Sequence, residues 1–424
     1  MKKWLGLFIL FTLLNLNACN QVPKTPTFAS LSTVEPVSLS PLSELPSIFP
    51  KIDRRPTSSG WSRGGIYTVP TYNPDSGQDW QMDLRSYDLS ELDLSKSYND
   101  LMYAYFDSQT IWPPAERMPQ NFDWQQIMEL GKNPGLGIRQ LHAQNITGYG
   151  VGIAIIDQTL LVDHQEYVQQ LRLYEEASNI QGAWLEPQMH GPAVASIAVG
   201  KTTGVAPGAD LYYIANNMCY NWSDESIDFI CLAESVYRIL EINKTLPQDR
   251  RIRVLSMSIG WGPDSTGYDE ITAATKEAKD AGLLVICSSV EAVHGFKFHA
   301  LGRAPLADPD QFGSYEPGIW WAKQYYEGQQ FSDRLLVPMD SRTTAGPDGI
   351  DEYVFYRAGG WSWSIPYIAG VYALAAQVKP AITPDEFWRL ALQTGRTIEF
   401  KHGGRSFQLG PILDPIALVV ELQK

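Results

Sequence analysis

Three residues in this chain have the types and the order needed to turn a serine into a nucleophile: Asp157, His190 and Ser362. A serine hydroxyl is protonated at neutral pH and must lose its proton as it attacks, so it needs a neighbouring base. Of the six histidines, at 142, 164, 190, 294, 299 and 402, His190 alone opens a small-residue, helix-forming run, Gly191-Pro192-Ala193-Val194-Ala195. Gly191 there would allow close approach of backbone or substrate. An imidazole that titrates near neutrality can take up the proton and return it to a leaving amine. Asp157 closes the apolar run Val151 to Ile156. A carboxylate there would accept the imidazole's other N–H, fix its tautomer and stabilise the imidazolium. Ser362 lies in Gly360-Trp361-Ser362-Trp363-Ser364-Ile365-Pro366, ahead of an Ala-rich run that predicts a helix over 365–378. The unpaired N–H groups and positive dipole end of that helix would stabilise an oxyanion formed at its mouth. Pro366 suits the first turn, where its missing N–H is not needed, and Ser364 is a second hydroxyl only two residues on.

From Gly135 onward, short apolar runs alternate with helical stretches. Strands are expected at 151–156, 211–214, 254–259 and 283–287, and helices at 192–199, 226–242, 270–281, 365–378 and 384–394. Near-continuous apolar strands separated by helices imply an α/β fold, a doubly wound, mostly parallel sheet with helices on both faces. Ligands in such sheets sit at the carboxyl ends of the strands, and Asp157 is at one such end.

These pieces together resemble the subtilisin-like serine proteases, the subtilase family, over about residues 148–395. The matching segments are Gly150-Val151-Gly152-Ile153-Ala154-Ile155-Ile156-Asp157 with His164 following, His190 to Ala195, and Gly204-Val205-Ala206-Pro207-Gly208-Ala209. Ser256-Met257-Ser258-Ile259-Gly260 and Gly360 through Pro366 complete the set. They stand in the family's order, at spacings of 190 − 157 = 33 and 362 − 190 = 172. The resemblance implies a serine endopeptidase acting on proteins or peptides, with Asp157, His190 and Ser362 as the triad. It also implies that Ser258, Ile259 and Gly260 pair with an extended substrate, Gly260 leaving room for a side chain.

The chain departs from the family where an oxyanion is held. The family's strand ending in Ala-Ala-Gly-Asn falls at Cys287-Ser288-Ser289-Val290-Glu291, and no Asn is present. A protonated Glu291 could donate, an Asn elsewhere in the chain or Ser288 or Ser289 could substitute, or activity could be low. The missing donor motivates a second reading, a catalytically impaired member that binds peptides. Trp361 and Trp363 flank the serine and would narrow the cleft, and Trp320, Trp321, Tyr325 and Tyr326 would either line it or pack among themselves. An esterase reading fails for want of Gly-x-Ser-x-Gly, since Ser364 stands where the second Gly belongs.

The N-terminal part carries a different kind of signal. Lys2 and Lys3, an apolar stretch from Trp4 to Leu14, and Leu16-Asn17-Ala18-Cys19 resemble a bacterial lipoprotein signal over residues 1–18, with Cys19 as the lipidated residue. That places the protein outside the cell membrane, anchored by lipid, or secreted. Residues 19–59, rich in Pro, Ser and Thr, are expected to be a tether, 60–134 an N-terminal extension with helices at 98–105 and 123–130, and 135–424 the catalytic domain. A net charge of −14 argues against nucleic acid as a partner. Cys219 and Cys231 could pair in an oxidising compartment, leaving Cys287, or all three could stay reduced. No cofactor is expected; Asp348-Gly349-Ile350-Asp351-Glu352 could hold calcium or be a solvated turn.

Overall fold

A computed structural model describes residues 34–76, 80–220, 226–328, 331 and 333–424. The leader, Cys19 and the first part of the expected tether lie outside the described residues.

The central sheet has six strands in the order Lys51–Ile52, Leu171–Glu176, Asp210–Ala215, Gly152–Asp157, Ile252–Met257 and Leu284–Cys287. Every neighbouring pair is parallel. Side chains alternate across a strand, and here both faces are buried. Ile153, Ile155, Leu284 and Ile286 pack with the helices His190–Val199 and Trp361–Val378. Ala154, Ile156, Val285 and Cys287 pack on the other side with Ile230–Thr245 and Tyr268–Asp280. This two-faced burial is why the strands read as continuous apolar runs rather than alternating ones.

The expected α/β fold is therefore present, with shifts at element ends. Asp157 is the last residue of its strand rather than the first residue beyond it. The helix expected from Ile365 begins four residues earlier, at Trp361, so Ser362 lies within its first turn. The segments expected over 98–105 and 123–130 form Tyr98–Leu101 and Trp124–Lys132, the latter capped by Asp123 accepting from the Gln126 N–H. A second sheet, Tyr315–Pro317, Phe298–Arg303, Leu335–Pro338, Arg405–Ile412 and Arg396–His402, has no counterpart among the expected elements. Cys219 and Cys231 form a disulfide, and Cys287 is buried and free.

The tether expectation is corrected for residues 34–59, which belong to the same compact unit as the rest, residues 34–424. Lys51 and Ile52 extend the central sheet beside Leu173 and Tyr174. Arg54 makes a two-pronged ion pair with Glu176 and also donates to the Leu185 carbonyl. Ser59 donates to Glu186 at 3.1 Å. Its Pro, Ser and Thr content marked this stretch as a tether, but strand pairing and ion pairs hold it, together with scattered apolar contacts of Val34, Val37, Leu45, Phe49 and Ile52 with the two cores.

Residues 60–134 are likewise built in. Phe106–Asp107 pairs antiparallel with Val354 and Phe355, whose hairpin partner is Arg342–Ala345. Leu84, Leu101, Phe106, Ile127 and Phe355 form one apolar cluster that draws on both parts of the chain. Phe106 is wholly buried, so Phe106→Ala is expected to cost about 3–5 kcal/mol in a denaturant titration of the whole protein. A loss below about 1 kcal/mol would show that the extension folds apart from the rest.

Candidate active site

Asp157 ends the strand next to the sheet's centre and is fully buried. Its Oδ1 accepts from the Gln158 N–H at 2.8 Å and lies 2.7 Å from Nδ1 of His190. Its Oδ2 has no protein partner. His190 opens the helix His190–Val199, and Gly191 shows why that helix comes so near: a Cβ there would lie 2.4 Å from the Gln158 carbonyl oxygen. The glycine thus admits backbone from the loop after Asp157. Burial opposes a charge on His190, but the Asp157 charge and its hydrogen bond outweigh it and raise the imidazole above its usual value.

Trp363 supports the imidazole from the other side. Its ring meets that of His190 edge-on at 5.5 Å and that of Tyr356 at 5.1 Å. It is almost completely buried, which corrects the expectation that it narrows the cleft. Trp361 packs against Phe298 and His299. Of the aromatic group at 320–326, Trp320 alone, 48% exposed, reaches the site, where its ring lies 2.6 Å from where a Cβ on Gly360 would stand. Trp321 and Tyr325 are buried against the second sheet, and Tyr326 stacks on His402.

Gly360 precedes the helix with φ 67 and ψ 175, a conformation that glycine enters without strain. It turns the chain so that Ser362 is partly exposed while Ser364 is wholly buried and donates to the Pro338 carbonyl at 3.3 Å. The choice between the two hydroxyls is therefore made by burial. Because the helix starts at Trp361, Pro366 sits in its second turn and not the first. A proline there removes the hydrogen bond to the carbonyl four residues back, which is that of Ser362. Ser258, just past the end of the strand Ile252–Met257, takes that carbonyl with its own hydroxyl at 3.0 Å. The Ser362 hydroxyl points back to the Ser258 carbonyl at 3.5 Å and makes no hydrogen bond to His190 in this rotamer. Rotation about its Cα–Cβ bond alone changes where it points.

The donors expected for an oxyanion are placed elsewhere. Glu291 has a carboxylate that is 60% exposed and pairs with Lys297 at 3.4 Å, so it does not lie in the apolar site that the expectation required. Ser289 donates to the Trp261 carbonyl at 2.7 Å and accepts from the Trp261 N–H at 2.8 Å. Its hydroxyl is engaged. Val290 is buried and starts a short helix, Val290–His294. What remains is Ser288 and the first turn of the nucleophile helix, with its own N–H groups.

One residue of the site had no signal in the sequence, and two others had a relation that the sequence does not show. Asp340, pushed up to about 7 by burial, accepts from the N–H of Ile319 at 2.9 Å and of Gly359 at 3.4 Å, linking the second sheet to the loop before Ser362. Ser258 and Pro366 are visible in the sequence, but their relation to one carbonyl is not. His164 is buried, with Nε2 bonded to the Glu352 carbonyl at 2.8 Å and burial lowering its pKa, a structural role. Asp348 accepts from the Ser58 hydroxyl at 2.6 Å, and Glu352 accepts from the Asp348 N–H at 2.7 Å, so two of the three carboxylates of the calcium candidate already bind protein donors. Among the described residues no group of three or more His, Cys, Asp or Glu side chains is arranged to hold a metal ion.

A model of the subtilase family matches residues 148–314, a span that includes Asp157 and His190 and ends before Ser362. An "Extracellular serine proteinase" of Thermus sp. (strain Rt41A) is 26% identical over 259 residues, 61% of this chain and 58% of that protein. The "Subtilisin-like protease PopC" of Myxococcus xanthus (strain DK1622) is 34% identical over 105 residues, 22% of each chain. This chain thus spans little more than half of the first relative and less of the second. The solved structure of the prenylagaramide maturation protease PagA is similar at 14% identity and a TM-score of 0.43, covering 68% of this chain and 98% of that one.

The Asp157–His190 bond makes a direct prediction. Titration of His190 followed by NMR should give a midpoint above about 6.5, the ordinary histidine value. Asp157→Asn removes the charge and leaves burial to dominate, so the midpoint should fall below that value. An unchanged midpoint would show that the pair does not set the imidazole's protonation.

Proposed function

This chain carries a subtilase domain, and from that premise we propose that it is a serine endopeptidase that cleaves peptide bonds through an acyl-enzyme on Ser362. The observation that carries the reading is the 2.7 Å bond between buried Asp157 and His190, one helix mouth away from a partly exposed serine. In the proposed reaction the Ser362 hydroxyl rotates to His190 Nε2, which takes its proton as the oxygen attacks the substrate carbonyl. Asp157 holds Nδ1–H and stabilises the imidazolium. The imidazolium then protonates the leaving amine, and water repeats the sequence to release the acid. The leaving amine's proton comes from Ser362 by way of His190, and the proton that restores the Ser362 hydroxyl comes from the water by the same route.

The oxyanion is stabilised by N–H groups of the nucleophile helix's first turn and by the dipole behind them. Loss of one preorganised donor costs about 10² to 10³ in rate, so a slow enzyme is the expected one. The engaged Ser289 and paired Glu291 favour, as the second reading, a peptide-binding protein with impaired catalysis. Substrates are proteins or peptides. The place of action we propose is outside the cell membrane, with a lipid on Cys19. Cys19→Ala should release the protein from the membrane fraction and abolish incorporation of labelled fatty acid; retention of both would remove the anchor from the account.

Incubation with a fluorophosphonate is expected to give a single adduct, mapped by mass spectrometry to Ser362 and lost in Ser362→Ala. Absence of an adduct on folded protein would favour the peptide-binding reading. Catalysis needs the imidazole neutral, and its pKa is raised, so kcat/KM should climb with pH through a limb above about 6.5. Asp157→Asn should lower the rate by about 10⁴-fold, as loss of this carboxylate does in other triads.

A further inference from the structure

The arms that leave the carboxyl ends of two neighbouring strands lie beside Ser362. Met257 and Cys287 are register partners at the ends of Ile252–Met257 and Leu284–Cys287. Beyond them the chain runs on as 258–261 and 288–290, and Ser258, the first residue of one arm, is the residue tied to Ser362. Gly260 is partly exposed, and among the described residues its N–H and C=O make no hydrogen bond. An extended peptide can therefore pair with Gly260 and bring a carbonyl to Ser362.

The side chain of that residue has little space. The Ser288 N–H donates to the Ile259 carbonyl at 2.9 Å, and the Ser289 hydroxyl spans both the N–H and the C=O of Trp261. A Cβ on Gly260 would meet the Ser288 Cβ at 2.9 Å and the Ser289 Oγ at 3.0 Å. This corrects the expectation that Gly260 leaves room for a substrate side chain: the room is filled by the facing arm. With the facing arm this close to Gly260, the space beside it cannot hold a leucine or phenylalanine side chain unless the arms part, which breaks all three of these bonds.

Resting on the peptidase reading for its orientation, we propose that Ser288 and Ser289 close the slot beside Gly260 and restrict the residue whose carbonyl is attacked to glycine or alanine. Ser289 is then a specificity-determining residue. Ser289→Gly removes both the side chain in the slot and the bridge to Trp261, so it should admit larger residues.

The test uses the full chain and two readouts that fail separately. The fluorophosphonate adduct reports whether Ser362 is a nucleophile. Binding of short product peptides ending in Gly, Ala, Leu or Phe, measured by calorimetry, needs no chemistry and reports the slot. The wild-type protein should bind the Ala-ended peptide about 10²-fold more tightly than the Phe-ended one, and Ser289→Gly should shrink that ratio at least about tenfold. Wild-type protein that binds Leu or Phe as tightly as Ala would overturn the proposal whether or not Ser362 is labelled. So would a Ser289→Gly variant with native circular dichroism and an unchanged ratio. Should the glycine variant not fold, Ser289→Ala, which keeps the Cβ and loses only the bridge, should still relax the ratio part of the way.

Discussion

A carboxylate sealed in the core must be paired, and in this protein that requirement organises the site. Asp157 has no exposure to water, and its charge has one partner that can answer it, the imidazole of His190. Removing one member of a buried pair costs about 3–5 kcal/mol, because the other is left charged and unsolvated. The strand that delivers Asp157 and the helix that delivers His190 are thus bound to one another by the same contact that readies the base. Gly191 and Trp363 serve that contact, one by letting the helix approach the strand and the other by backing the ring.

A second exchange fixes the nucleophile. Proline within a helix costs about 3 kcal/mol or more, chiefly through the hydrogen bond it removes and the carbonyl it crowds. Here the freed carbonyl belongs to the nucleophile itself, and Ser258 answers it from the end of a neighbouring strand. The strand arm expected to hold substrate and the helix that carries Ser362 are therefore registered to each other through one hydroxyl. The same arm is stitched to its neighbour by Ser289, where a donor for the oxyanion was expected.

Much of this was legible because parallel strands buried on both faces leave long apolar runs, and because a triad needs particular residue types in loops at the ends of those runs. The boundaries at Asp157 and Trp361 were less so, since a strand or helix end is decided by pairing and capping rather than by hydropathy. The sheet edge at Lys51 and Ile52 was hidden for a related reason: beside ions and backbone groups its apolar contacts come from scattered residues such as Phe49 and Ile52, and a stretch rich in proline and serine gives no periodicity to read. The roles of Ser289 and Glu291 turned on where single side chains point, which residue type does not state. Asp340 gave no signal at all, because its meaning lies in burial beside Gly359.

The central claim is that His190 and Ser362 act as one unit, although the hydroxyl and the imidazole are not bonded in the resting rotamer. The most direct measurement is a double-mutant comparison of His190→Ala, Ser362→Ala and the two combined, using kcat/KM on an alanine-containing peptide amide. Residues that work as a unit lose their function together, so the combined variant should be no slower than either single one. Losses that multiply in the combined variant would mean that the two side chains act independently, and the account of the site would be wrong.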